Sequence, residues 1–334
     1  MSFDAIQGQE RAIGALRRML AGGRVPSALL FLGPRHVGKR TTALALAKAL
    51  NCVAAAGEGC GACPACRKIA EGVHPDVDVV APDGQFIKID QVRAVVDKLG
   101  LIPFEARKRV VVLSQAERMN PPAANAFLKT LEEPPTDTLI VLCAQSKSEL
   151  FDTIVSRCLP VRFGRLSEAT LRELLPGSKL LSAEALAFAV RFAQGRLRPD
   201  LGERAEQWMA IRDELLEGLG KLDAPAFVAI SEKFARWSGT DDWKFVLEWL
   251  ETWFRDLALL GSGAGPERLI NEDRVQHMRA WMGRFPPAVA DSCYRRVLEA
   301  RRGAALNANK LLGLEALWLD CKEVALQATG GAAA

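Results

Sequence analysis

Two groups of residues in this chain have types and spacings that can do chemistry. The first is Gly33-Pro34-Arg35-His36-Val37-Gly38-Lys39, which satisfies G-x-x-x-x-G-K. Such a loop between a strand and a helix points backbone N–H groups at phosphate, and the helix N-terminus adds a favourable dipole. Lys39 would supply the point charge for the outer phosphates. The next position normally places a hydroxyl on Mg²⁺, and here it is Arg40, which has no oxygen to offer. Thr41 is no substitute, because one step along a helix rotates a side chain by about 100°. Gly33, Gly38, Lys39 and Thr41 therefore outline a degenerate nucleotide site. Whether ATP occupies it stays open, and a loop that merely turns the chain is the plainer alternative.

An ATP-hydrolysing site has a second half at the end of another strand, where an Asp holds the metal and an adjacent Glu orients water. The run "RVVVL" leads instead into Ser114-Gln115-Ala116-Glu117. Ser114 carries no charge, and Gln115 cannot accept a proton from water. Glu117 follows three residues on, where the chain should have left the strand. Two separate positions have lost the same chemistry, so hydrolysis by this chain alone is not expected.

The second group is Cys52-x7-Cys60-x2-Cys63-x2-Cys66. Four thiolates suffice for a closed tetrahedral site, and "GEGCGACPAC" has the glycines and proline to wrap a short loop around an ion. An iron–sulfur cluster competes, because C-x2-C-x2-C also opens the bacterial ferredoxin spacing. Ferredoxins continue with x3-Cys-Pro, whereas Arg67-Lys68-Ile69-Ala70 follows here, which favours structural zinc. Clustered cysteines in a cytosolic chain point to metal rather than disulfides. The scattered Cys143, Cys158, Cys293 and Cys321 read as small buried hydrophobes.

The elements that must position these groups are legible from periodicity. Apolar, β-rich runs at Ala28–Leu32, Asp76–Val80, Arg109–Leu113, Thr138–Cys143 and Leu159–Phe163 suit strands buried on both faces of a parallel sheet. Helical stretches such as Arg40–Leu50, Asp90–Leu99 and Pro121–Leu131 alternate with them. This predicts a doubly wound α/β domain over residues 1–164, with the cysteine module (about 52–66) as an insertion. Helices alone follow. Ser167 and Ser182 are N-caps, and Gly177 and Gly195 fall where helices should end. Residues 165–204 read as a small helical module, 205–328 as a larger helical region and 329–334 as a frayed tail. Trp243, Val246, Leu247, Leu250, Trp253, Phe254 and Leu257 follow the helical period behind a cap at Asp241 or Asp242. That spacing favours a bundle core over a base-stacking platform.

Bulk composition excludes several classes. Forty-four Lys and Arg against 40 Asp and Glu leave a balance of +4, too small to argue for nucleic-acid binding by itself. No apolar run approaches the roughly 18 residues of a membrane span, and "MSFDAIQGQERA" reads as neither signal nor transit peptide. The expectation is a cytoplasmic protein with no membrane partner.

Taken together, the chain resembles the bacterial clamp-loader subunits of the AAA+ class. The stretches that carry the likeness are "AANAFLKTLEEPP" (Ala123–Pro135), "SRC" (Ser156–Cys158), the cysteine insertion after the loop helix and "GQERAIGALRRML" near the start. It is strong from Phe3 to about Arg198, and "ALNANKLLGLEALWL" (Ala305–Leu319) echoes the family's helical collar more weakly. The resemblance implies an AAA+/RecA-like P-loop domain, a helical lid over 165–204 and a collar over 205–328. Such subunits form heteropentameric rings of gamma or tau with delta and a further subunit. These rings use ATP to place a sliding clamp on primed DNA for DNA polymerase III. The resemblance also implies that Arg157 of "SRC" reaches into the adjacent subunit's ATP site, where a planar, permanently charged guanidinium suits a transferring phosphate. Arg198 of "GRLRPD" matches the lid's sensor arginine, although Pro199 follows it. Gln145 stands where a Thr or Asn sensor is expected. With Arg40, Ser114 and Gln115, these departures match the family's stator and arginine donor, which is no ATPase alone. Two alternatives are an ATP-hydrolysing gamma- or tau-like subunit, and a zinc-bearing module that binds DNA directly.

Overall fold

The computed structural model describes residues 2–220, 240–304 and 310–328. The expected tail at 329–334 and the first residues of the collar-like stretch, 305–309, lie outside the described residues.

Five strands form where the apolar runs predict them: β1 (Ala28–Leu32), β2 (Val77–Val80), β3 (Arg109–Leu113), β4 (Thr138–Ala144) and β5 (Leu159–Arg162). All pair in parallel, in the order β2-β3-β4-β1-β5. Every residue of β1, β3 and β4 is buried, because helices cover both faces of the sheet. Alternate residues divide between two cores, as the pleat requires. Leu29, Phe31, Val110, Val112 and Val141 pack with α1 (Glu10–Ala21) and α2 (Lys39–Asn51). On the other face, Leu30, Val111, Leu113 and Leu142 pack with α4 (Ile89–Leu99) and α5 (Pro121–Glu132). Between α2 and β2 lies the short α3 (Pro64–Glu71), and α6 (Asp152–Val155) precedes β5. Pro160 sits on β5, an edge strand, where a missing N–H is tolerated.

The chain divides into two compact units, the first holding residues up to Glu173 together with Gly195–Leu197. Within it, the Ser167 hydroxyl accepts from the Thr170 amide at 3.1 Å, capping α7 (Glu168–Leu174) as expected.

The second unit holds Leu174–Gln194 and the described residues from Arg198 onward. Its helices are α8 (Ala183–Ala193), α9 (Pro199–Gly220), α10 (Thr240–Gly261), α11 (Val275–Trp281), α12 (Pro287–Ala304) and α13 (Lys310–Ala328). Ser182 caps α8 through the Ala185 amide. Pro199 does not break its helix but opens it, at a position where its missing N–H costs nothing. The aromatic stripe on α10 is core: Val246, Leu247, Leu250, Trp253, Phe254 and Leu257 are buried, with Trp243 half-buried. Trp208 stacks on Phe245 at 4.6 Å between ring centres, and Trp253 meets Trp281 edge-on at 5.3 Å. Asp242 does not serve as a simple cap. It is buried and accepts from the Trp208 indole at 3.0 Å.

Candidate functional site

The residue 33–38 loop leaves β1 where the sheet's strand order reverses, the place where open α/β sheets bind ligands. Gly33 has a positive φ of 153°, and a Cβ there would lie 2.4 Å from the Phe163 carbonyl oxygen, so no side chain fits. Gly38, at φ 94°, turns the chain into α2. His36 also has a positive φ, and its carbonyl accepts from the Leu197 amide at 2.8 Å. Lys39 is buried, and its Nζ donates to the carbonyls of Gly33 and Pro34 at 2.6 and 2.5 Å. Burial lowers its pKa, partly opposed by Cys143 and Glu117. Arg40 and Thr41 are both exposed on the first turn of α2. Thr42 is buried, but its hydroxyl donates to the Gly38 carbonyl at 2.9 Å and so serves the helix.

At the end of β3, the Ser114 hydroxyl is buried without a hydrogen-bond partner among the described residues. Gln115 adopts the left-handed conformation (φ 57°). That turn brings Glu117 back toward the loop, a placement its distance along the chain did not suggest. The Glu117 side chain is only 8 % exposed, and its Oε1 lies 3.5 Å from Arg35 Nη2 and 3.5 Å from Gln145 Nε2. Its Oε2 is buried and has no hydrogen-bond partner among the described residues. Gln145, the departure from the expected sensor, therefore shares one polar cluster with Glu117 and Arg35. No sequence signal announced this, since a non-glycine residue in the left-handed region is uncommon.

The four clustered cysteines converge as their spacing implied. Their sulfurs all lie within 4.8 Å of one another. Cys52 follows the last residue of α2, Cys60 lies between Gly59 and Gly61 (both of positive φ), and Cys63 caps α3 with Pro64 at its first position. Cys52 and Cys63 Sγ are 3.9 Å apart, close to the roughly 3.8 Å edge of a tetrahedron with metal–sulfur bonds near 2.3 Å. The Cys52 sulfur accepts from the amides of Ala55 (3.2 Å) and Cys60 (3.3 Å). Burial pushes the Cys52 thiol up, but these amides outweigh it and bring the pKa down to about 6. The Cys66 thiol is pushed up by burial. An all-sulfur, closed donor set of this kind could hold a metal ion in a structural role, with no position left for a substrate.

Arg157 lies just beyond α6. Its Nη1 donates to the Thr153 carbonyl at 2.8 Å and the Ser156 hydroxyl at 3.3 Å, and its Nη2 donates to Glu132 at the end of α5. The side chain is 33 % exposed. Arg198 belongs to the second unit, immediately before α9, paired with Asp200 at 2.7 Å and with Glu248. It also lies over the rings of Phe192 and Trp208. Burial works against its charge, but the two carboxylates raise its pKa further. No helix of the described residues is long and apolar enough to cross a membrane.

The family model for the DNA polymerase III delta subunit matches residues 8–167, and a second model, for the C-terminal part of delta, matches residues 206–327. The chain is 36% identical over 167 residues to DNA polymerase III subunit delta' of Bacillus subtilis, covering 50% of this chain and 51% of that protein. It is 35% identical over 251 residues to subunit delta' of Pseudomonas aeruginosa, covering 71% and 73% respectively. Subunit tau of Escherichia coli is 34% identical over 209 residues, which is 60% of this chain but 32% of tau. The match thus spans about half of the Bacillus relative and a third of tau. Among solved structures, a gamma subunit-related protein from Thermotoga maritima has a similar fold, with a TM-score of 0.50 and 18% identity over 94% of this chain and 99% of that one.

Proposed function

As a member of the DNA polymerase III delta-prime family of clamp-loader subunits, the chain acts, we propose, as the ring's stator and arginine donor rather than as an ATPase. In this reading Arg157 serves the ATP of a neighbouring gamma or tau subunit, and delta completes a heteropentamer that loads the sliding clamp onto primed DNA. The chain's own loop, with Gly33, Gly38, Lys39, Thr41 and Arg198, is a degenerate nucleotide site, and the four cysteines hold structural zinc. The division into a P-loop domain (1–164), lid (165–204) and collar (205–328), and a cytoplasmic location, belong to the same proposal.

The observation that carries it is the pairing of Arg40 on α2 with Ser114 and Gln115 at the end of β3. A metal-dependent phosphoryl transfer needs an oxygen ligand at the first place and an acid at the second. One finding favours the hydrolysing alternative: Glu117 returns a carboxylate to the loop beside Arg35. In the assembled loader, Arg157→Ala is expected to depress DNA-stimulated ATP turnover while assembly stays intact. Unchanged turnover would sink the arginine-donor role. Tight, salt-sensitive binding of primed DNA by the isolated chain would instead favour the DNA-binding alternative.

A further inference from the structure

Glu132 sits where helix physics does not want it. It is the last residue of α5, and a carboxylate in a final turn opposes the helix dipole. Its carboxylate's one hydrogen bond among the described residues comes from Nη2 of Arg157. With Arg157 33 % and Glu132 48 % exposed, the pair contributes little to stability, as exposed ion pairs generally do.

A guanidinium has five N–H donors in a rigid fork. Two contacts from Nη1, to the Thr153 carbonyl and the Ser156 hydroxyl, and one from Nη2 to Glu132 engage three of them. The Nε–H and one Nη2–H keep no contact among the described residues, which leaves two donors for a phosphate. All three engaged groups belong to the same unit of this chain. Together they hold a long side chain, rich in rotamer freedom, in one plane before any phosphate arrives.

We propose that Glu132 is a positioning residue for Arg157, holding the guanidinium so that its two uncommitted donors face the neighbouring subunit's nucleotide. The inference rests on the arginine-donor reading above. Misplacing a group that acts only in the transition state lowers the rate without weakening ground-state binding.

The test compares Glu132→Ala, Glu132→Gln, Arg157→Ala and the double Ala variant, each in the assembled loader with clamp and primed DNA. Glu132→Ala is expected to lower kcat for ATP about tenfold, the scale of a modest misplacement, with KM and assembly unchanged. Glu132→Gln keeps a side-chain acceptor and should recover most of the rate. The double variant should be no slower than Arg157→Ala. A full rate in Glu132→Ala beside a slow Arg157→Ala overturns the positioning role alone. So does a double variant slower than Arg157→Ala, which would show Glu132 acting through something else. A full rate in Arg157→Ala overturns both this role and the reading it rests on.

Discussion

Asp76 offers the most direct test of how the sheet that carries the candidate site is held. The residue precedes β2, has no exposed surface and faces Arg109, itself only 7 % exposed, at the start of β3. Its Oδ1 accepts from Arg109 Nη2 at 2.7 Å and the Phe104 amide at 2.9 Å, and its Oδ2 accepts from the Glu105 and Ala106 amides at 2.8 and 3.0 Å. Arg109 also donates to the carbonyls of Lys98, Leu101 and Ile102. The pair therefore pins the whole segment between α4 and β3, including the exposed Leu101, Ile102 and Phe104. Removing one partner of a buried pair costs about 3–5 kcal/mol, because the other charge is left uncompensated. Asp76→Ala should fall at the upper end, since three amides lose their acceptor as well. That is a large part of the roughly 5–15 kcal/mol that holds a domain together. At about 2–4 °C per kcal/mol for a unit of this size, the unfolding midpoint should drop by about 10 °C or more. Asp76→Asn, which keeps the volume but not the charge, should lose nearly as much.

The pH dependence has a definite sign. Burial alone would raise the Asp76 pKa, but the amides of Glu105, Phe104 and Ala106 and the Arg109 guanidinium hold it well below the usual carboxylate range. A depressed folded-state pKa means stability that is present above the unfolded value of about 3.9 and lost as pH falls below it. Circular dichroism melts of wild type and Asp76→Ala should show a constant gap from about pH 8 to 5 that narrows below about pH 4. A loss under about 1 kcal/mol at neutral pH, or a gap that widens on acidification, would refute the buried-pair account.

The remaining predictions concern the metal module and the loop. The purified chain should carry about one zinc and no iron, as its closed four-thiolate set implies. Chelation or Cys66→Ser should release the metal and lower the unfolding midpoint; a metal-free chain with the same midpoint, or one containing iron, would contradict this. The isolated chain should show no ATP turnover above a blank, and in calorimetry Mg²⁺ should add nothing to any nucleotide affinity. Turnover by the isolated chain that disappears in Lys39→Ala would establish the hydrolysing alternative.

Much of the fold was legible because its signals are local. The runs "ALLFL", "RVVVL" and "TLIVLCA" became β1, β3 and β4, since a continuous apolar stretch can be satisfied only between two covering layers. The loop and the cysteine module were legible for a similar reason. Their chemistry is written within a few dozen residues, and the metal-ligand spacing of Cys52 to Cys66 names a cluster that the fold does bring together. Tertiary structure alone decided what crosses the chain. Glu117 faces Arg35 because one left-handed residue, Gln115, redirects the strand end. Arg157 meets Glu132 across 25 residues, and Asp76 meets Arg109 across 33. Neither pairing has a periodicity to betray it, because it depends on which strands become neighbours. Pro199 marks the same divide: its type counted against a helix at Arg198, and only the fold decided that a helix begins at the proline itself.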